Sequence, residues 1–322
     1  MTASYWWRLA WLGLACFFLV HSMAGVAISL LAQRAVRIAG RLRPRAAARL
    51  MLTLRLLPLA CSIAAVAGLC LPSYLWFEPA ATREQVGWMC LIAALLGVAT
   101  LATSIGRAVH ATLRSWRYTR RCWRVATKTS LEGQSEPVWV MEGSAPFLAL
   151  AGILRPRLLI SRGALNRLSS PQLSVALRHE AAHRASGDNL KRLVIALAPG
   201  VWPFFRGFDL IEKSWARFTE WAADEAAVLG DPMRSVLLAD ALVRVAGVGS
   251  AAQRSPLLAP LLADGSELKA RVERLLHPVP PAGVSTRRIA AAAFGATAML
   301  VAIVAQPWTL RIAYRFLEDL IH

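Results

Sequence analysis

Acidic side chains are scarce in this sequence: 19 Asp and Glu stand against 37 Lys and Arg over 322 residues, a formal net charge of +18. Such an excess raises nucleic acid as a partner, but no recognition motif accompanies it, and no direct nucleic-acid binding is expected. Its distribution points elsewhere. Arg34, Arg37, Arg41, Arg43, Arg45 and Arg49 form one acid-free cluster, and Arg107, Arg114, Arg117, Arg120, Arg121, Arg124 and Lys128 form a second. Both flank apolar runs, where loops kept on the cytoplasmic side of a membrane collect Lys and Arg. Close cysteine pairs are also missing. Cys16, Cys61, Cys70, Cys90 and Cys122 have neither zinc-knuckle nor CxxC spacing, and four lie in or beside apolar runs, as packing residues do. That argues against a disulfide framework. Tyrosine is rare as well, with Tyr5, Tyr74, Tyr118 and Tyr314 the whole set.

Apolar residues, by contrast, make up 56% of the chain, and the mean hydropathy is +0.46, too high for a plain soluble enzyme. Four apolar runs reach the roughly 20 residues that a bilayer core of about 30 Å requires. They are Leu9–Leu31, Leu50–Leu71, Val86–Ile105 and Ile289–Gln306. The first exceeds the h-region of a signal peptide and lacks a small-residue cleavage site, so it reads as a retained span. Trp6, Trp7, Trp76, Trp88 and Trp308 fall near the ends of the runs, where headgroup-seeking side chains collect. The basic 34–49 connection is expected inside, and the 72–85 connection, with Arg83 against Glu78 and Glu84, outside. The expected protein is multi-pass in a bacterial-type inner membrane, with its N-terminus outside and the segment from Arg107 to Arg288 in the cytoplasm. His21 and Arg55 fall inside spans; Arg55 is read as snorkelling to the cytoplasmic surface.

The expected fold is an α-helical membrane protein of about four spans with an inserted cytoplasmic α+β domain. Residues 1–112 form the membrane part, 113–288 the inserted domain, and 289–322 the last span with a short external tail. Pro137–Val140, Phe147–Leu150 and Leu158–Ile160 read as short strands. Ser170-Pro171 starts a helix that Gly187 can stop, a longer helix covers about 206–229, and Asp231-Pro232 starts another. Leu193–Phe205, broken by Pro199 and Pro203, suits either domain core or a stretch resting on the bilayer.

On the first of these helices lies His179-Glu-Ala-Ala-His183. Residues four apart project from one helix face, so the two imidazoles can seat one Zn²⁺. Glu180 follows the first histidine, where its carboxylate can act as general base on a zinc-activated water. The alternative is a solvated helix with two incidental histidines. The third ligand should come from another helix, and Glu220-Trp-Ala-Ala-Asp-Glu225 is the candidate donor. Glu220 is assigned to the metal and Asp224 to support of a ligand histidine. Glu225 points about 140° away from Glu220 on the helix and is the poorer ligand. With no tyrosine in reach, Arg217, Asn189 and His277 are the candidates for transition-state stabilisation. Ser144–Leu150 is the candidate sheet edge for a substrate strand.

Gly152–Ile160, Leu168-Ser-Ser-Pro-Gln-Leu173, Leu177-Arg-His-Glu-Ala-Ala-His183, Asp188, Glu220–Glu225 and Leu268–Leu276 together resemble the BlaR/MecR family of integral-membrane gluzincin peptidases. The HExxH and ExxxD elements are shared with the HtpX and CAAX-prenyl-protease family. The resemblance implies that 113–288 is a zincin-like metallopeptidase domain, a cytoplasm-facing zinc endopeptidase that cleaves itself or a transcriptional repressor when an external signal arrives, through a sensor partner. It carries His179, His183 and Glu220 over as ligands of one Zn²⁺, Glu180 as catalytic base, and Asp188 and Asp224 as supporting residues. About sixteen residues follow Gln306, where the family's antibiotic sensors have a large external domain. The expected partners are therefore a protein or peptide substrate and the lipid bilayer, and direct β-lactam sensing is not expected. The competing class is a non-catalytic membrane sensor or scaffold in which zinc only holds the domain together; HtpX-like quality control is a further alternative.

Overall fold

A computed structural model describes residues 3–77, 87–130, 137–200, 206–246 and 265–277, with Arg311 and Arg315. Among the described residues three helices are long and apolar enough to cross a membrane. The first, α1, spans Ala3–Ala39. The second begins as α2, Pro44–Ala65, passes through a π-helical turn at Val66–Cys70, and ends as α3, Leu71–Phe77. The third, α4, runs from Trp88 to Val125. The fourth apolar run, Ile289–Gln306, lies outside the described residues. Leu30, Leu31, Ile92, Leu95, Ile105 and Val109 are exposed on these helices, the outward apolar surface that a membrane protein turns to lipid. Between the spans the packing is close: a Cβ on Gly97 of α4 would stand 2.7 Å from the Leu14 carbonyl oxygen of α1. At 1.5 Å per residue α1 and α4 are each roughly 55 Å long, well beyond the hydrocarbon core, so their ends reach into the rest of the fold. The 112/113 boundary drawn from the sequence falls inside α4.

A small mixed sheet follows. Its strands are β1 (Thr127–Thr129), β2 (Val138–Met141), β3 (Leu148–Ala151) and β4 (Arg157–Ser161), in the order β1-β2-β4-β3. The β2–β4 pair is parallel and the other two are antiparallel. Three strands match the apolar stretches read from the sequence. The fourth, β1, is three exposed residues without alternation, which leaves no periodic signal. Helices follow the sheet: α5 (Arg162–Arg167), α6 (Ser170–Ser186), α7 (Asp188–Leu197), α8 (Gly207–Val228), α9 (Pro232–Ala246) and α10 (Gly265–Leu276). One core joins Val138, Leu148, Leu158 and Ile160 of the sheet to Val175 and Leu177 of α6, Ala227 of α8, Leu238 and Leu242 of α9, and Leu275 of α10.

A second core ties α8 to the apolar helices. Phe208, Ile211, Trp215 and Phe218 pack with Ile28 and Ala32 of α1 and with Met51 of α2. The contact is tight at the start of α8, where a Cβ on Gly207 would collide with the backbone of Ser29.

Arg55 departs from its expected role. Instead of snorkelling it is 2% exposed, and its guanidinium donates to Glu212 Oε1 (2.6 Å) and to the carbonyls of Ala198 (2.9 Å), Pro199 (3.1 Å) and Ile195 (3.3 Å). The physical reason is the end of α7, whose last carbonyls have no helical partner and need donors. Other long-helix side chains meet the same need: Ser104 bonds the Leu197 carbonyl, Arg107 donates to Ala198 at 3.3 Å, and the His21 ring bonds Gly200 at 3.3 Å. Residues 193–200 of the ambiguous apolar stretch are thus held among α1, α2 and α4, and 201–205 lie outside the described residues.

Candidate metal centre

The helix that presents the two histidines is well delimited. Its N-cap is Ser169, one residue before the position read from the sequence. The side chain of Gln172 accepts from the Ser169 amide at 2.9 Å, and Pro171 sits in the first turn. At the other end Gly187 adopts φ +66°, the left-handed cap that glycine takes without a Cβ penalty. The chain reverses there and α7 starts at Asp188, which returns that carboxylate to the helix it has just left.

The α6 histidines and α8 Glu220 form a cluster that can hold a metal ion. His179 Nε2 and His183 Nε2 are 3.1 Å apart, and Glu220 carboxylate oxygens lie 3.5 Å from the former and 3.6 Å from the latter. Each ring has its other nitrogen against a carboxylate: His179 Nδ1 is 2.9 Å from Asp224 Oδ1, and His183 Nδ1 donates to Asp188 Oδ2 at 2.8 Å. Tetrahedral donors at 2.0–2.1 Å from zinc stand about 3.3 Å from one another, so the three inward donor atoms have the spacing such an ion needs. Two neutral imidazoles and one carboxylate are also a donor set that zinc accepts.

Glu180 is 2% exposed, on the same helix, and its Oε2 has no hydrogen-bond partner among the described residues. Burial pushes its carboxyl above the usual carboxylate range, against the pull of the two imidazoles. For the histidines burial disfavours the charged form, but nearby carboxylates outweigh it. Asp224 and Glu220 raise His179, and Glu220 and Asp188 raise His183 to about 10. Glu220 and Asp224 go the other way: burial opposes ionisation, while His183 and Arg271 hold Glu220 well below its ordinary value and Arg271 and His179 hold Asp224 down. The cluster is thus a concentration of negative charge that calls for cations.

One of those cations is a residue to which the sequence reading gave no role. Arg271 of α10, 4% exposed, forks onto both oxygens of Asp224 (Nε–Oδ2 2.9 Å, Nη2–Oδ1 2.7 Å) and sets Nη1 3.1 Å from Glu220 Oε2. A signal for it existed. Leu268, Val272 and Leu275 form the inward stripe of α10, and Arg271 falls within it, where a charge needs a buried partner. Arg217, read as a transition-state stabiliser, is exposed on α8 away from the cluster's contacts, and His277 is exposed past the end of α10. Asn189 is buried but engaged: its amide donates to the carbonyls of Leu150 (3.2 Å) and Gly152 (2.7 Å). That contact ties α7 to β3, which is an edge strand of the sheet and packs against α6. Since Phe147 and its alternates bond β4, Leu148 and Leu150 turn their peptide groups outward.

The fold and cluster define the class: a mostly helical chain with three helices fit to cross a membrane, a small mixed sheet and a buried His-His-Glu group able to bind a metal ion. No family model, curated protein or solved structure matches the chain.

Proposed function

We propose that the chain is a membrane-embedded zinc endopeptidase of the BlaR/MecR type, hydrolysing peptide bonds of a cytoplasmic or membrane protein in regulated proteolysis. The observation that carries this reading is Glu180, a buried carboxylate next to the two histidines on α6 with an oxygen that has no hydrogen-bond partner among the described residues. A metal that only braces a fold is closed by its ligands and has no use for such a group.

Nε2 of His179, Nε2 of His183 and a carboxylate oxygen of Glu220 would hold the zinc, which when bound supplies Lewis acidity toward a carbonyl and makes water a better acid. The remaining work falls to the chain. Asp224 and Asp188 fix the imidazoles in the tautomer whose Nε2 lone pair faces inward. Glu180, its proton affinity raised by burial, takes a proton from the attacking water and delivers it to the departing peptide nitrogen. Arg271 holds Glu220 and Asp224 in place and balances their charge. Asn189 takes the outward carbonyl of Leu150, so an extended substrate segment pairs with β3 beside α6 through the outward peptide group of Leu148. The arginine clusters argue for a cytoplasmic site with the N-terminus outside, in a bacterial-type inner membrane. That suits a transcriptional repressor or the chain itself as substrate.

The test is Glu180→Ala in the full-length protein. One zinc per chain should remain by elemental analysis, while cleavage falls by about 10²-fold or more. Proteins that accumulate in cells carrying the variant then identify the substrate. Undiminished proteolysis by the purified variant would refute the reading, and a fourth protein ligand on the metal would favour a scaffold.

A further inference from the structure

On a different face of α6 from Glu180 lies a groove of about 780 Å³, walled by α2, α6 and α8. Its floor is alanine, including Ala48 of α2, Ala182 of α6 and Ala222 and Ala226 of α8. Cations line it: Arg45 and Arg49 from α2, Arg178 from α6 and Lys191 from α7. Lys191 is paired with Asp188 at 2.9 Å, and that aspartate, the one acid in the lining, also accepts from His183. Arg45, Arg49 and Arg178 are exposed and form no ion pair among the described residues. Three guanidinium groups therefore point at one cavity without a counter-charge.

Along α2 the lining changes character. Arg45 and Arg49 precede Leu50, where the apolar run begins, and Leu52 then faces the groove opposite Trp215 of α8. The cavity is cationic where the helix lies outside the expected hydrocarbon and apolar where it enters. A free anion would use only the first part, and an acidic peptide would need cations along its whole length. A phospholipid uses both.

We propose that this groove is a binding site for an anionic phospholipid, with the headgroup phosphate on Arg45, Arg49 and Arg178 and the start of the acyl chains against Leu52 and Trp215. Guanidinium groups suit the role because their planar fork donates to two phosphate oxygens at once. The inference rests on the membrane reading of α2 and not on the peptidase reading, so lipid binding and cleavage fail independently.

The experiment titrates the full-length protein in neutral detergent with short-chain phosphatidylglycerol, phosphatidylcholine, inorganic phosphate and a polyglutamate peptide, following thermal unfolding and bound lipid by native mass spectrometry. Phosphatidylglycerol should bind and raise the unfolding temperature, and phosphatidylcholine should not. Changing Arg45, Arg49 and Arg178 to Gln should weaken that binding at least about tenfold. The same three changed to Lys should keep the preference for phosphatidylglycerol but bind it more weakly than the arginines do, since the charge stays and the fork is lost. Arg117→Gln with Arg121→Gln, equal in kind but outside the groove, should leave it unchanged. Should the triple Gln variant not fold, Arg178→Gln alone, off the membrane-crossing helix, should weaken phosphatidylglycerol binding about fivefold, and no weakening would overturn the proposal. An equal loss in the Arg117 and Arg121 variant, an equal shift with inorganic phosphate, or a preference for polyglutamate over phosphatidylglycerol overturns the proposal.

Discussion

His179 and His183 each offer Nε2 inward and hold Nδ1 against a carboxylate, so protons and a metal ion compete for the same two rings. Glu220 and Asp188 raise His183 to about 10, which means that this ring is charged at neutral pH when no metal is bound, and Asp224 raises His179 in the same direction. Metal binding must then release at least about one proton per ion, the one held by His183. The sign follows: lowering the pH favours the imidazolium forms and weakens binding, and raising it strengthens binding. Calorimetry in buffers of different ionisation enthalpy should count the released protons, and metal content after dialysis should be higher at about pH 8.5 than at about pH 5.5, roughly 1.5 units either side of neutral. An affinity independent of pH would mean that the rings are not the ligands. Arg271 makes a second prediction. Arg271→Lys keeps the charge but loses the fork onto Asp224, so metal affinity should fall about 10- to 100-fold while the chain still folds. The histidines and Glu180 were legible in the sequence because a four-residue spacing on one helix fixes their geometry locally. Arg271 lies 47 residues from Asp224, and only the packing of α10 onto α8 brings the two together.

α8 works on two faces at once. Its first half lies against α1 and α2 through Phe208, Ile211 and Trp215, and its second half carries Glu220 and Asp224 to α6 and Arg271. Periodicity made the helix and its ends readable to within a residue or two. It did not show that the apolar stripe meets two different partners, because a stripe records burial and not what does the burying. Arg55 illustrates the same limit. Placed near the end of an apolar run it looks like a snorkelling side chain, and only the three-dimensional path of 195–200 reveals the carbonyls it serves. Arg55→Met should therefore leave the Ala198, Pro199 and Ile195 carbonyls buried and underbonded, at a cost of about 2 to 5 kcal/mol. Chemical or thermal unfolding in detergent reads that loss; a change below about 0.5 kcal/mol, the range of ordinary surface substitutions, would mean that the arginine does not brace this end of α7. Gly207→Ala probes the other anchor of α8, where a methyl group meets Ser29 and the helix must shift from α1. Overpacking of this kind costs about 1 to 3 kcal/mol, and a shift of α8 should also lower metal affinity.

At the scale of the whole molecule, the division into a membrane part and a separate peptidase domain from 113 to 288 reflects how a sequence is read, as alternating apolar and polar stretches. The packing runs across it. α4 continues through the boundary without a break, the end of α7 is bonded by side chains of all three long helices, and the core around Trp215 and Phe218 is completed by Ile28, Ala32 and Met51. A fragment of residues 113–288 would expose Ile195, Phe208, Ile211, Trp215 and Phe218 together. Burying one such side chain stabilises by about 1.5 to 3 kcal/mol, so losing the cover of five of them removes an amount comparable to the whole stability of an ordinary domain. The fragment should therefore be aggregated or partly unfolded and should bind metal at least about tenfold more weakly than the full chain, since α8 loses the surface that sets its position. Circular dichroism, sedimentation and metal titration of the two proteins side by side decide the matter. A monomeric, cooperatively folding fragment with full metal affinity would show that the centre is assembled by the sheet and α6 to α10 alone.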